Sequence, residues 1–423
     1  MFHKIENKFR VIADKLVACF LACVLAICLA PVAAFASTQS GTTTASIDIL
    51  LINVSSKYSS TVEPWKALSL CAANRYSDSE KQALLKQALK DMKAAEESGY
   101  SSVFQKYIIA LTAAGFDASA LPDASASDSS ATYNALQKMD EAMAAQVEQG
   151  TDTIWMYQPA LLAYKCGNYA DPENVKVPQA QIIDKLVSLQ NEDGSFYASD
   201  DADTTAMVIS ALQPYAKDNA NAASAMNKAL TSLKKMQNKD GGFGFCGSGG
   251  ISNANSTAMA IIALCSVGID PTNQWTVEDG STPMSALLKF ANAKQTSFTY
   301  DNEDNDLACE QGFRALVAYT GLKNVGGEYN IYIQASAGKA TFKDAKSDTD
   351  KNAAGSKSKT NAKDKSSAKK DIKGSKKIDN QDSNAAPATG DANDGYVFLL
   401  SFILVASALC IVAIAMRKKL FND

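Results

Sequence analysis

The sequence holds a single histidine, His3, and it falls in a stretch that reads as a leader removed on export. The remaining chain therefore has no imidazole, which excludes His-based catalytic triads and argues against a catalytic zinc. Arginine is scarce and the lysines crowd into one low-complexity run, so no nucleic-acid footprint is expected. No stretch alternates apolar and polar residues over the length of a strand, which excludes an extended sheet. Of nine cysteines, Cys19, Cys23 and Cys28 belong to the leader and Cys410 to a C-terminal apolar span. Cys71, Cys166, Cys246, Cys265 and Cys309 remain. They are odd in number and lack metal-ligand spacing, so no metal or cofactor is expected. One disulfide is open to them, but a fold of this size does not need it.

What is present divides the chain into segments. Lys4, Lys8, Arg10 and Lys15 precede an apolar core from Leu16 to Ala30, and Ala34-Phe35-Ala36 supplies a small-residue cleavage site. Residues 1–36 thus read as a signal peptide, with an uncleaved anchor as the alternative. Residues 37–45 are a Ser/Thr/Gly-rich flexible start. At the other end, Tyr396 to Met416 is apolar over a length that crosses a hydrocarbon core of ~30 Å as one transmembrane helix. Arg417-Lys418-Lys419 opens a basic tail, residues 417–423, that the positive-inside rule places in the cytoplasm. Residues 343–379 carry twelve Lys against six Asp, so a net charge of −4 hides a more acidic folded part. With almost no large apolar residue up to Ala385, this stretch cannot bury a core. Residues 328–385 are accordingly read as a short extended tail and then a disordered, wall-spanning linker.

The part between is organised by a repeat. Leu186 to Phe196 ends an amphipathic helix at Gln190, turns at Asp193-Gly194 and places Phe196 after the turn; Leu233 to Phe243 does the same with Gln237, Asp240-Gly241 and Phe243. A nearly continuous apolar helix follows each, Thr205 to Leu212 and Thr257 to Leu264. A fainter third copy has Phe298 and then Cys309 to Leu316. Such a unit cannot bury its own apolar face and must stack on its neighbours. Helices are expected at 46–58, about Trp65 to Ala72, 79–97, 102–114, 131–147, 153–166, 178–190, 203–215, 221–237, 253–267, 281–294 and 307–321. Apolar helices alternate with Lys-bearing amphipathic ones, which implies an inner and an outer set. The expected fold over residues 46–327 is all-α, an α/α-toroid of about six helix hairpins.

The Gln-x-x-Asp-Gly-x-aromatic turns resemble those of the prenyltransferase/squalene-oxidase repeat proteins, which implies the toroid. Tyr107 to Gly115, Ile154-Trp155, Gly268 to Pro271 and Glu310 to Tyr319 are similar to exported bacterial members of that superfamily. The order of Ala386-Pro387-Ala388-Thr389-Gly390, apolar span and basic tail resembles the sortase sorting signal of Gram-positive surface proteins. Ala386 stands where Leu is usual. That resemblance implies a cut between Thr389 and Gly390 within the 386–390 motif, with sortase and cell-wall peptidoglycan as partners and a cell-surface location.

Cyclases of the superfamily protonate an alkene with the middle acid of Asp-x-Asp-Asp-Thr-Ala. Asp201 and Asp203 match its first two carboxylates, but Thr204 replaces the third. Asp203 and Thr204 serve equally well as a helix cap. Cys309 and Gln311 are one residue too close for the complement-type thioester. Catalysis is therefore not expected. Phe196, Phe243 and Phe298 are expected to pack the turns, while Trp155, Tyr157, Phe245 and Tyr300 are the candidates for a ligand-binding surface. The function expected is binding of a small molecule, glycan or protein at the cell surface. A terpene-cyclase-like or prenyl-processing enzyme and an adhesin are the alternatives.

Overall fold

The structure, a computed structural model, describes residues 46–123, 131–247 and 249–334. The signal peptide, the flexible start, the linker beyond Gln334, the 386–390 motif with Pro387, Thr389 and Gly390, the 396–416 span and the basic tail lie outside the described residues. No helix among the described residues is long and apolar enough to cross a membrane.

The described chain is all-α apart from two very short antiparallel ladders. Its helices are α1 (Ile47–Lys57), α2 (Pro64–Ala72), α3 (Asp78–Ser98), α4 (Ser101–Ala113), α5 (Ala135–Glu148), α6 (Ile154–Lys165), α7 (Gln179–Ser188), α8 (Ala202–Leu212), α9 (Ala220–Lys235), α10 (Ala254–Ser266), α11 (Pro283–Lys289), α12 (Asp306–Val325) and α13 (Ile331–Gln334). The ladders pair β1 (Leu121–Pro122) with β2 (Thr132–Tyr133) and β3 (Thr299–Tyr300) with β4 (Glu303–Asp304). The β2 pairing delays the start of α5 to Ala135, against an expected 131. Likewise α11 ends at Lys289 rather than 294, because Ala291 leaves the helix to pair with Phe298.

Starts are set by side chains that satisfy free N–H groups. Ser77 and Glu80 form a capping box on α3, and Glu63 caps α2 ahead of Pro64 at the first turn. Asp201, Asn253 and Asn305 cap α8, α10 and α12 at matching places in the three repeats.

Two sets of helices differ in burial. The set α2, α4, α6, α8, α10 and α12 is apolar on most sides. In α10 every residue but Asn255 is buried. Each of these packs on the next in that order, and α12 packs on α2. The second set lies against them: α1 on α12, α3 and α5 on α4, α7 on α6, α9 on α8 and α11 on α10. Those helices bury one stripe and expose Lys and Glu on the other, the pattern of an outer layer.

The repeat turns join the sets. Gln190 Nε2 donates to Gly194 O within its turn and to Ala225 O on α9. Gln237 Nε2 repeats this with Gly241 O and Trp275 O. Gly194 and Gly241 have φ of 87° and 86°, and a Cβ on either would collide with backbone of the next repeat, so only glycine fits. The buried Phe196 and Phe243 each donate a backbone N–H to the Thr that starts the following helix, Thr205 or Thr257. In the third copy Gln295 takes the left-handed position (φ 52°) and Cys309 the Thr position. Gln295 there accepts from Ser46 N and, through its carbonyl, from Asn53 Nδ2, so the last repeat turn fastens α1.

The sequence suggested an extended tail after Gly327. Instead Tyr329, Asn330, Ile331 and Tyr332 are buried, and α13 packs on α2, α4, α6 and α12. The reason is the burial of three large side chains, with Gly321 leaving the space that the Tyr329 ring fills.

Candidate functional site

The amino ends of the six buried helices lie side by side, as bonds between their first turns show. Ser256 Oγ of α10 donates to Asp203 Oδ2 of α8 at 3.0 Å, and Asn255 Nδ2 of α10 donates to Gln311 Oε1 of α12 at 3.0 Å. Lys66 of α2 pairs with Asp306 of α12 at 2.6 Å. Gln105 Nε2 of α4 donates to Met156 O in the first turn of α6 at 2.8 Å. Trp155 of α6 meets Tyr197, just ahead of α8, with ring centroids 4.9 Å apart.

This end is where apolar side chains meet water. Of ten large hydrophobics exposed among the described residues, seven belong to it: Tyr100, Trp155, Tyr197, Phe245, Ile251, Tyr300 and Leu307. Among these seven, Trp155 and Tyr197 touch each other directly. Three of the four sequence candidates fall here, with Trp155 at 42%, Phe245 at 50% and Tyr300 at 39% exposure. Tyr157 does not. It is buried, and its hydroxyl donates to Asp152 at 2.6 Å. Two residues beyond Trp155 on α6, Tyr157 points to a different face of the helix, so closeness in sequence misplaced it. Tyr197 is exposed, unlike its buried neighbour Phe196, because its backbone turns left-handed at φ 68°. Its place one residue beyond the repeat turn carried no sign of that.

The carboxylates take separate roles. Asp201, not Asp203, is the cap: its Oδ1 accepts from Thr204 N and its Oδ2 from Thr204 Oγ1. Asp203 is already inside α8 and faces α10, where Ser256 engages one oxygen. Its Oδ1 is sealed from solvent and meets no donor, although the rest of the residue keeps some exposure. Burial, helped by the nearby charge of Asp201 and opposed by Ser256, pushes its carboxyl up to about 7. No third carboxylate joins the two, since Thr204 is spent on Asp201. Deeper inside, Arg314 donates to Glu310 at 3.2 Å and lies over the rings of Trp65 and Tyr332. Burial outweighs the Arg314 cation at Glu310 and pushes its carboxyl up to about 7. The Glu310 charge holds Arg314 charged in spite of its own burial.

Cysteine chemistry is not assembled. Cys71, Cys166, Cys265 and Cys309 are buried and Cys246 is half-buried, and none of the five is in a disulfide. Cys309 stands in the repeat position of Thr205 and Thr257, with Lys57 Nζ 3.7 Å from its sulfur. Gln311 is engaged by Asn255 instead of Cys309. Among the described residues no group of three His, Cys, Asp or Glu side chains is placed to hold a metal.

The chain matches no protein-family model, and no curated protein matches it.

Proposed function

We propose that the chain is a cell-wall-anchored surface protein whose α/α-toroid binds a ligand at the amino-end rim of its inner helices without transforming it. The toroid reading is supported by the order of packing from α2 to α12 and back to α2, with an outer helix against each of α4, α6, α8, α10 and α12. It is also supported by the resemblance of the repeat turns to those of the prenyltransferase/squalene-oxidase superfamily. The single observation that carries the binding reading is the contrast in exposure. Seven large apolar side chains face water at the amino ends, while at the opposite end the chain's own Tyr329 and Asn330 bond the last turns of α10 and α8.

Cyclase chemistry is disfavoured on two grounds. An alkene-protonating carboxyl needs neighbours that stabilise its conjugate base, and Asp201 is committed to capping. The interior a terpene would occupy holds Trp65, Arg314 and Tyr332 packed on one another. That packed, polar interior favours a second reading, an adhesin whose rim engages a neighbouring protein.

Export and anchoring rest on the leader, the sorting-like motif and the apolar span. The expected mature form starts at Ser37 and ends at Thr389 joined to the wall, and mass spectrometry of the wall-released protein checks both ends. For the ligand, the full chain would be incubated with a mixture of isoprenoids, corrinoids and wall glycans, and whatever is retained would be identified by mass. Retention without turnover supports the ring as a binder. A retained protein partner from the same assay supports the adhesin. Turnover of an isoprenoid, lost in Asp203→Asn, would overturn the non-catalytic reading.

A further inference from the structure

The exposed aromatics of the rim share their loops with carboxylates and with no cation. Segments 150–157, 196–204 and 243–256 carry Asp152, Asp200, Asp201 and Asp203, and not one Lys, Arg or His. Trp155 and Tyr197 form a tilted pair, inclined by 55° with both rings open to water. Tyr197 keeps its ring there at the cost of a left-handed backbone, about 1–2 kcal/mol for a residue other than glycine. Asp200 accepts from Gly247 N at 2.7 Å, which draws the loop bearing Phe245 and Cys246 to the Trp155–Tyr197 side.

The negative charge of this face is felt at a nearby group. Burial pushes the Cys246 thiol up to about 11, and Asp201, Asp200 and Asp203 all add to the rise. Asp200, next to Asp201 in sequence, is exposed and is the carboxylate of this face that solvent reaches. Aromatic faces beside uncountered carboxylates attract an organic cation through the ring quadrupole and through charge. A neutral sugar would use the rings and leave the carboxylates idle.

We infer that the Trp155–Tyr197–Asp200 face binds the alkylammonium end of a lysine side chain presented by a partner peptide. This inference rests on the reading of the rim as a binding surface and names its ligand class.

The test titrates the full-length chain with N-acetyl-lysine methylamide, its neutral isostere N-acetyl-norleucine methylamide, and N-acetylglucosamine. The readout is the NMR signal of the Trp155 indole N–H, assigned by its loss in Trp155→Ala. A saturable shift with the lysine compound is expected, at least roughly tenfold weaker with norleucine. Asp200→Asn and Tyr197→Ala are each expected to weaken the lysine response several-fold, and added salt to weaken it further. Val325→Ala, exposed at the far end of α12, should leave it unchanged. An equal response to norleucine, or a stronger one to the sugar, would overturn the ammonium inference while leaving the rim a binding surface. The absence of any Trp155 shift with all three probes would refute the inference and count against the rim as well.

Discussion

The two ends of the inner helices are finished in opposite ways. At the carboxyl ends the chain covers itself. Tyr329 N donates to Cys265 O of α10, Asn330 Nδ2 donates to Ser210 O of α8, and Gln213 bonds both Asn330 and Glu328. At the amino ends Asp201, Asn253 and Asn305, each just ahead of its helix, cap one N–H apiece of α8, α10 and α12, while α4 and α6 have no side-chain cap. The aromatic side chains there stay in water. One end of the inner helices thus meets the chain itself and the other meets water.

The contrast can be broken at the closed end first. Tyr329→Ala removes a fully buried ring and leaves a hole beside Gly321, and is expected to cost ~3–5 kcal/mol. Urea denaturation of the full chain measures it. A loss below 1 kcal/mol would mean that the segment merely rests on the helices.

The amino end should respond to pH. The Asp203 carboxyl, held up to about 7 from an ordinary 3.8, stays protonated when folded at pH values where the unfolded chain has lost that proton. The contribution of this carboxyl to folding stability should therefore be fully present below an ordinary 3.8, fall as pH rises towards 7, and then level off. The slope from this one group is about 1.4 kcal/mol per pH unit at most. Glu310, raised to about 7 by burial, acts with the same sign, so Asp203→Asn should flatten the fall without abolishing it. A denaturation midpoint that does not change between pH 4.5 and 7.5, in either protein, would refute this.

The smallest expected effect bears most directly on recognition. Tyr197→Gly relieves the left-handed strain and should raise stability by roughly 0.5–1 kcal/mol while the lysine response falls. Stability gained with binding lost would mark the Tyr197 backbone as held for function. Both lost together would mark it as structural.

Much of the fold was legible because the repeat makes its demands locally. Asp-Gly turns, an aromatic two residues on and apolar helices after them recur in the sequence. The structure gives each the same place, with Phe196, Phe243 and Phe298 buried as expected. The closed end was not legible: Tyr329-Asn330-Ile331-Tyr332 is too short to show a period, and what holds it are carbonyls of residues about 64 to 120 positions earlier. Aromatic identity singled out Trp155, Phe245 and Tyr300, and all three are exposed. It failed for Tyr157, whose fate depends on which side of α6 it occupies. It also passed over Tyr197, whose exposure comes from one backbone angle. Asp203 was read with the cap because the cap lies two residues away, and only the packing of α8 on α10 separates them.

The burial of Tyr329 to Tyr332 has a mechanical consequence. A pull applied to the chain beyond Gln334 reaches α13 first, then Tyr332 against Trp65 and Arg314, then Asn330 and Tyr329 at the ends of α8 and α10. Those contacts join the segment to all six inner helices, either directly or through α13. Tension is thus spread over the interior before it can peel α12, and the body should yield only when this short segment is drawn out.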